Sequence, residues 1–235
     1  MVNPRYWIDR SILTILLLRR VIVAASRKQW RCHQVNGTRE RLLTVGAALF
    51  QRQGLTGTGI KQILSEANAP FSSLYHHFPG GKEELAVEAV RLSGAEYQHL
   101  VETVWDGSPD PVSSVAAVFA GAAETLQATG FAVACPIGTV ALEVASTNES
   151  LRVVTAEVFE AWVTAGAVRL EAQGLSADDA RSLALSVIAL LEGAFMLCQA
   201  ARSTEAMAAA GACAVAATEA VMDAGRRAEP PIVGR

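Results

Sequence analysis

Proline is scarce in this chain of 235 residues, with 8 in all, so long stretches lack the residue that most strongly interrupts a helix. Alanine, which carries almost no helix penalty, is abundant through the second half. Both observations predict an all-α protein. Charge is low, at 18% of residues, while 51% are hydrophobic. That balance excludes an intrinsically disordered chain and fits one ordinary domain or two small ones. The four cysteines, Cys32, Cys135, Cys198 and Cys213, lie far apart with no Cys-x-x-Cys pair, and Cys32-His33 is too short a cluster to hold a metal. The spacing argues against structural zinc and a disulfide framework, and predicts small buried thiols in a reducing cytoplasm. The apolar run near the N-terminus is too short to cross a membrane, because Arg19 and Arg20 interrupt it between residues 12–18 and 21–25.

What is present is unevenly charged. Residues 1–91 carry 13 Lys and Arg against 6 Asp and Glu, and residues 92–235 carry 7 against 17. A basic front and an acidic rear suit a polyanion at the front only. Most of that excess lies in residues 1–36, and residues 37–91 alone have a net charge of only +1. Residues 1–36 have a basic start and a short apolar stretch, as a signal peptide does, but a DNA-binding pattern follows, which belongs in the cytoplasm. Three roles are open to them: an extra packed helix, a basic arm for DNA phosphates, or upstream sequence ahead of a start at Val35. The third is favoured, so that the folded domain begins near Thr38.

Thr38 is expected to cap a first helix, in which Leu42, Val45, Ala48, Leu49 and Phe50 recur at helical spacing and Gly54 is the stop. Thr58 is expected to cap a second helix over residues 59–67, with Ile60, Ile63, Leu64 and Ala67 inward and Lys61 and Gln62 outward. Asn68 suits a left-handed turn. Pro70 then opens a third short helix, to Phe78. Two short helices across a tight turn match the helix-turn-helix plan. The third helix carries the hydroxyls of Ser72 and Ser73 at its start and Tyr75, His76 and His77 one turn later, groups that hydrogen-bond to bases and phosphates. His76 and His77 are adjacent, so they point about 100° apart on a helix and make a poor metal pair. Gly80-Gly81-Lys82 lacks the earlier glycine and the following Ser or Thr of a nucleotide-binding phosphate loop. After it, residues 82 to 104 form a long helix whose first turn, with Lys82, suits a phosphate.

In this order of segments, residues 38–90 resemble the DNA-binding domain of TetR-family repressors. The strongest piece is Ser73-Leu74-Tyr75-His76-His77-Phe78 followed by Lys82-Glu83-Glu84-Leu85. The Pro-Gly-Gly-Lys insert, and Cys135-Pro136-Ile137-Gly138 in the second half, are similar to the LmrA/YxaF-like branch. The resemblance implies that Lys61, Ser72 and Ser73 contact bases or nearby phosphates, and that Thr58, Tyr75, His77 and Lys82 contact the DNA backbone. Asn68 stands where the family has glycine, and Phe71 where it has a polar or basic residue. Phe71 could touch a thymine methyl or pack internally. The resemblance also implies a cytoplasmic homodimer on double-stranded operator DNA, a small-molecule effector, no cofactor, no metal and no membrane.

Beyond a linker at residues 105–111, helical patterns run over residues 112–129, 149–173, 178–201 and 204–224. The last two are apolar on more than one face, and Ala208, Gly211, Ala212 and Ala216 allow close helix approach. Burial on all sides needs a second copy, and a two-fold four-helix interface supplies it. A pocket is expected among residues 112–201. Its candidates are Trp105, Phe119, Phe131, Cys135, Phe159, Trp162, Phe195 and Met196, with Glu143, Glu192 and Gln199 as polar groups. Aromatics at helical spacing also simply fill cores. Few polar groups in an apolar pocket imply a lipophilic or aromatic effector.

The expected architecture is therefore all-α: an N-terminal extension at 1–36, a three-helix helix-turn-helix domain at 37–85, a helical ligand-binding and dimerisation domain at 86–226, and a flexible tail at 227–235. An enzyme would need a nucleophile–base pair, and His33 and His99 have no evident partner. A helical interaction protein without DNA binding, or an activator of the same fold, are the alternatives.

Overall fold

The computed structural model describes residues 37–228, and within them nine helices and no strand. They are α1 (Thr38–Gln53), α2 (Ile60–Glu66), α3 (Phe71–His77), α4 (Gly81–Asp106), α5 (Pro111–Ala128), α6 (Gly138–Val144), α7 (Glu149–Glu171), α8 (Ala177–Ala201) and α9 (Glu205–Ala228). The expectations for residues 1–36 and for the tail beyond residue 228 lie outside the described residues.

Helices α1 to α3 fold around Leu42, Leu49, Phe50, Ile63, Leu74 and Phe78, all buried. Two expected caps are corrected. The residue ahead of α1 is Gly37, with extended backbone and no capping side chain, and Thr38 is already helical. The residue ahead of α2 is Gly59, and Thr58 lies one position too early. A cap must be the extended residue just before the first helical one. Gly54 ends α1 at φ 74, and Asn68 takes the left-handed turn at φ 47, as its short amide permits.

Helix α4 runs from the helix-turn-helix unit into the second half without a break. There α7 packs on α4 and α8, and α9 packs on α5 and α8. The α4–α7 crossing is close because residue 94 is glycine: a Cβ there would lie 2.5 Å from Val158 Cγ1. Trp162 donates its indole N–H to the Gly94 carbonyl at 3.0 Å across the same crossing. Side-chain caps set three later helix starts: Asp110 accepts from Ser113 N, Asn148 from Leu151 N, and Ser176 from Asp179 N. The short α6 has no counterpart among the expected helices. It packs on α1 and α7, so it joins the first three helices to the bundle. Of the described thiols, Cys135 and Cys198 are buried, whereas Cys213 is exposed on α9, contrary to expectation. Helices α8 and α9 are long and apolar enough to span a membrane by composition, yet each lays one face on the bundle.

Candidate functional site

The outer face of α2 and α3 presents Lys61, Ser72, Tyr75 and His76 to solvent, with Ser73 and His77 half-buried beside them. The inner face holds Leu64 and Leu74 in the core, which fixes the direction in which the outer face points. Phe71, at the start of α3, is 62% exposed and Tyr75 is 48% exposed, with ring centroids 5.9 Å apart. Of the seven residues expected at DNA, Lys61, Ser72 and Tyr75 are exposed and Ser73 and His77 half-buried. The side chains of the other two are held by the protein itself. Thr58 is fully buried and donates its hydroxyl to the Gly54 carbonyl at 2.7 Å. Lys82 donates Nζ to the carbonyls of Leu55 and Thr58 at 2.8 and 2.9 Å. Both side chains are committed to the turn between α1 and α2, whose backbone groups no helix satisfies.

The same turn is held from its other side by the second half of the chain. Glu143, on α6, accepts the backbone N–H of Leu55 at 2.6 Å and of Thr56 at 2.7 Å. Burial pushes its carboxyl up, but hydrogen bonds from Thr56 and Leu55 and the charge of Lys82 outweigh that and hold it below the usual carboxylate range. Gln51 adds a bond from its side-chain amide to the Ala134 carbonyl at 2.9 Å. Glu143 therefore belongs to the junction and not, as expected, to a pocket.

A cavity with about 840 Å³ of empty space, its open mouth included, lies between α4, α5, α7 and α8. Trp105, Trp162 and Glu192 line it, as expected. Besides Glu143, seven expected residues do not. Phe119 faces α9, where Gly211 makes room for it. Phe131 sits in a left-handed turn at φ 62 and its carbonyl accepts from Gln199 at 3.2 Å. Cys135 is buried before α6, its sulfur taking the N–H groups of Ile137 and Gly138. Phe159 stands edge-on behind Trp162 at 5.4 Å, Phe195 is in the core, and Met196 is 55% exposed. Helical spacing tells which face is apolar, but not which neighbour that face meets.

Comparison with known proteins agrees with this arrangement in both halves. Residues 42–89 match the family model described as bacterial regulatory proteins, tetR family, and residues 111–213 match the C-terminal domain of LmrA/YxaF-like transcriptional regulators. The HTH-type transcriptional regulator YxaF of Bacillus subtilis is 38% identical over 160 residues, which is 68% of this chain and 84% of YxaF. The chain belongs to the TetR family of bacterial transcriptional regulators. It is a DNA-binding regulator and not an enzyme. LmrA of Bacillus subtilis is 32% identical over 167 residues, covering 71% of this chain and 89% of LmrA. Reduced NemR of Escherichia coli shares the fold at a TM-score of 0.66 and 24% identity, over 75% of this chain and 94% of that one. NemR, whose name calls it a transcriptional repressor, is also 37% identical over 76 residues, or 32% of this chain and 38% of NemR.

Within this TetR-family regulator, sequence reasoning missed four polar cavity residues, Tyr97, Gln98, Glu102 and Arg169. Tyr97 packs against Trp162 at 5.0 Å between ring centroids, and its hydroxyl is pushed well up by burial, then by Cys135 and Glu192. Arg169 enters from α7 and pairs with Glu102 at 3.4 Å and Asp106 at 3.6 Å. A lone arginine in the Ala- and Val-rich C-terminal part of α7 is the signal that points to it. Tyr97 carries no such signal.

Proposed function

We propose that this regulator is a cytoplasmic, homodimeric repressor that leaves a palindromic operator when a small lipophilic or aromatic effector enters the α4–α5–α7–α8 cavity. The observation that carries the reading is the outer face of α2 and α3, where Lys61, Ser72, Ser73 and Tyr75 point away from a fixed core. Residues 37–85 serve as the DNA-binding unit and residues 86–226 as the effector-binding and dimerisation unit, with α4 continuous between them. The repressor name of NemR supports the sign of regulation.

Dimerisation is supported by α8 and α9. Leu185, Met196 and Leu197 are exposed on α8, and Ala208, Ala212 and Ala216 are exposed on α9. A second copy covers such faces and sets two copies of α3 roughly 34–36 Å apart, one DNA turn. Gly211 is not part of that face, since it packs on Phe119. The effector acts by population shift: it favours a spacing of the α3 pair that does not fit adjacent major grooves.

The test is a gel-shift titration against the DNA upstream of the regulator's own gene at two salt concentrations, with Tyr75→Ala as control. Tight, salt-sensitive binding that the variant loses is the expected result. Binding no better than to random DNA at that and neighbouring promoters would leave an interaction protein as the better reading.

A further inference from the structure

The cavity is walled almost entirely by apolar groups, yet two of its lining residues each carry a buried polar atom without a hydrogen-bond partner. These are Oε1 of Glu192 and Nε of Arg169, and among the described residues no other side-chain atom shares that condition. An unpaired buried group is destabilising, and more so when charged. Two such atoms in one cavity mark where an occupant supplies the missing partners.

The two ends differ in charge balance. Arg169 directs one terminal nitrogen at Glu102 and the other at Asp106, while its buried Nε–H has no partner. Among the described residues no cation pairs with Glu192. The thiol of Cys135 faces its carboxylate, and a Cβ at Gly138 would lie 2.8 Å from its Oε2. The charged residues of the lining are Glu102 and Glu192 against Arg169, which disfavours an acid. Trp105 and Trp162 offer flat walls, and tryptophan faces attract cations. Gly166 faces Ala184 across the α7–α8 seam, which sets residue 169 level with residue 181. Glu192 then lies roughly 16 Å further along the helix axis at 1.5 Å per residue. Side chains reaching in from both ends leave room for about two aromatic rings.

We propose that the effector of this regulator is a lipophilic aromatic cation whose protonated amine pairs with Glu192 and whose far end offers a hydrogen-bond acceptor to Arg169 Nε. The proposal rests on the reading of this cavity as the effector site. Burial holds the Glu192 carboxyl above its usual range in the empty cavity, and Tyr97 from α4 and Cys135 from the loop before α6 face it with no positive charge. Binding of the cation therefore tightens as pH rises through the carboxyl's range, which a neutral ligand's binding does not.

The experiment is isothermal titration calorimetry of the full-length regulator with three probes on one scaffold: 4-phenylbenzylamine, 4-phenylbenzyl alcohol and biphenyl-4-carboxylate. The amine is expected to bind at least about ten-fold more tightly than the alcohol, and the acid least. In Glu192→Gln the amine and the alcohol should bind within about two-fold of one another. A 4′-acetyl group on the amine should add several-fold in affinity, a gain lost in Arg169→Lys, which keeps the charge but lacks Nε. Equal binding of all three probes, or preference for the alcohol or the acid, would overturn the cation while leaving the cavity as a ligand site. No binding of any probe would overturn the effector cavity itself, and the gel shift independently decides DNA binding.

Discussion

Phe71 is a large apolar side chain held in water at the start of α3, beside Tyr75 and the exposed Ser72. The core does not claim it, so packing does not explain it. A thymine methyl in the major groove is an apolar contact of the right kind. Replacing operator thymines by uracil under α3 should weaken binding by about four-fold, as loss of one buried methyl does, and Phe71→Ala should abolish that difference. Equal sensitivity of both proteins to uracil would place Phe71 off the bases. Glu192 makes a second prediction of this scale. Its folded-state carboxyl is raised from the ordinary value of 4.5 by burial. The folded protein therefore holds this proton more tightly than the unfolded chain, and stability falls as pH rises from the ordinary value through the raised one. Glu192→Gln should melt higher than the parent near neutral pH, with the advantage shrinking to nothing as pH falls to the ordinary carboxylate value. Melting curves across that range check it, and an advantage independent of pH would refute the linkage.

Among the elements, α6 matters more than its seven residues suggest. Its Glu143 takes two N–H groups of the α1–α2 turn while Lys82 of α4 takes two carbonyls of the same turn. The turn that aims α2 and α3 is thus clamped between a carboxylate from the bundle and an ammonium from the connecting helix. At its other end α6 starts at Gly138, beside Glu192 of the cavity. Helix α4 is accordingly not the sole physical link between the halves. Glu143→Ala should accelerate amide hydrogen exchange at Leu55 and Thr56 and lower stability by about 1–3 kcal/mol, through two charge-assisted bonds lost. Unchanged exchange at those two amides would show that the clamp does not hold the turn. Because Glu143 titrates below the usual range, the clamp persists at neutral pH and weakens only as pH falls through that lowered value.

At the scale of the whole molecule, α8 and α9 decide the behaviour. Their exposed apolar and small residues are the reason they satisfy a membrane criterion by composition. A helix with an apolar outer face needs a partner, and the proposed dimer supplies one. Met196→Glu should place a carboxylate in that face, convert the regulator to a monomer in light-scattering measurements, and reduce operator affinity by orders of magnitude, since a monomer reads one half-site. A dimeric Met196→Glu protein would move the interface elsewhere.

Local rules are written in the order of the residues. Scarce proline and abundant alanine specified helices, the periodicity of Leu42, Leu49, Ile63 and Leu74 specified which faces turn inward, and Asn68 and Gly54 specified left-handed stops. These are interactions within a few residues, so composition and spacing suffice to read them. The family itself was legible in the segment running from Ser73 to Leu85. The partners of each face, by contrast, were set by how the helices dock. Spacing cannot distinguish Trp162, which borders a cavity, from Phe119, which packs on α9, because both are apolar residues on helices. Nor can it show that Thr58 and Lys82 turn inward to the α1–α2 turn, or that Glu143 reaches across 88 residues of chain to Leu55. Those outcomes depend on which backbone groups are left unsatisfied once the helices have docked, and that is a property of the folded arrangement alone.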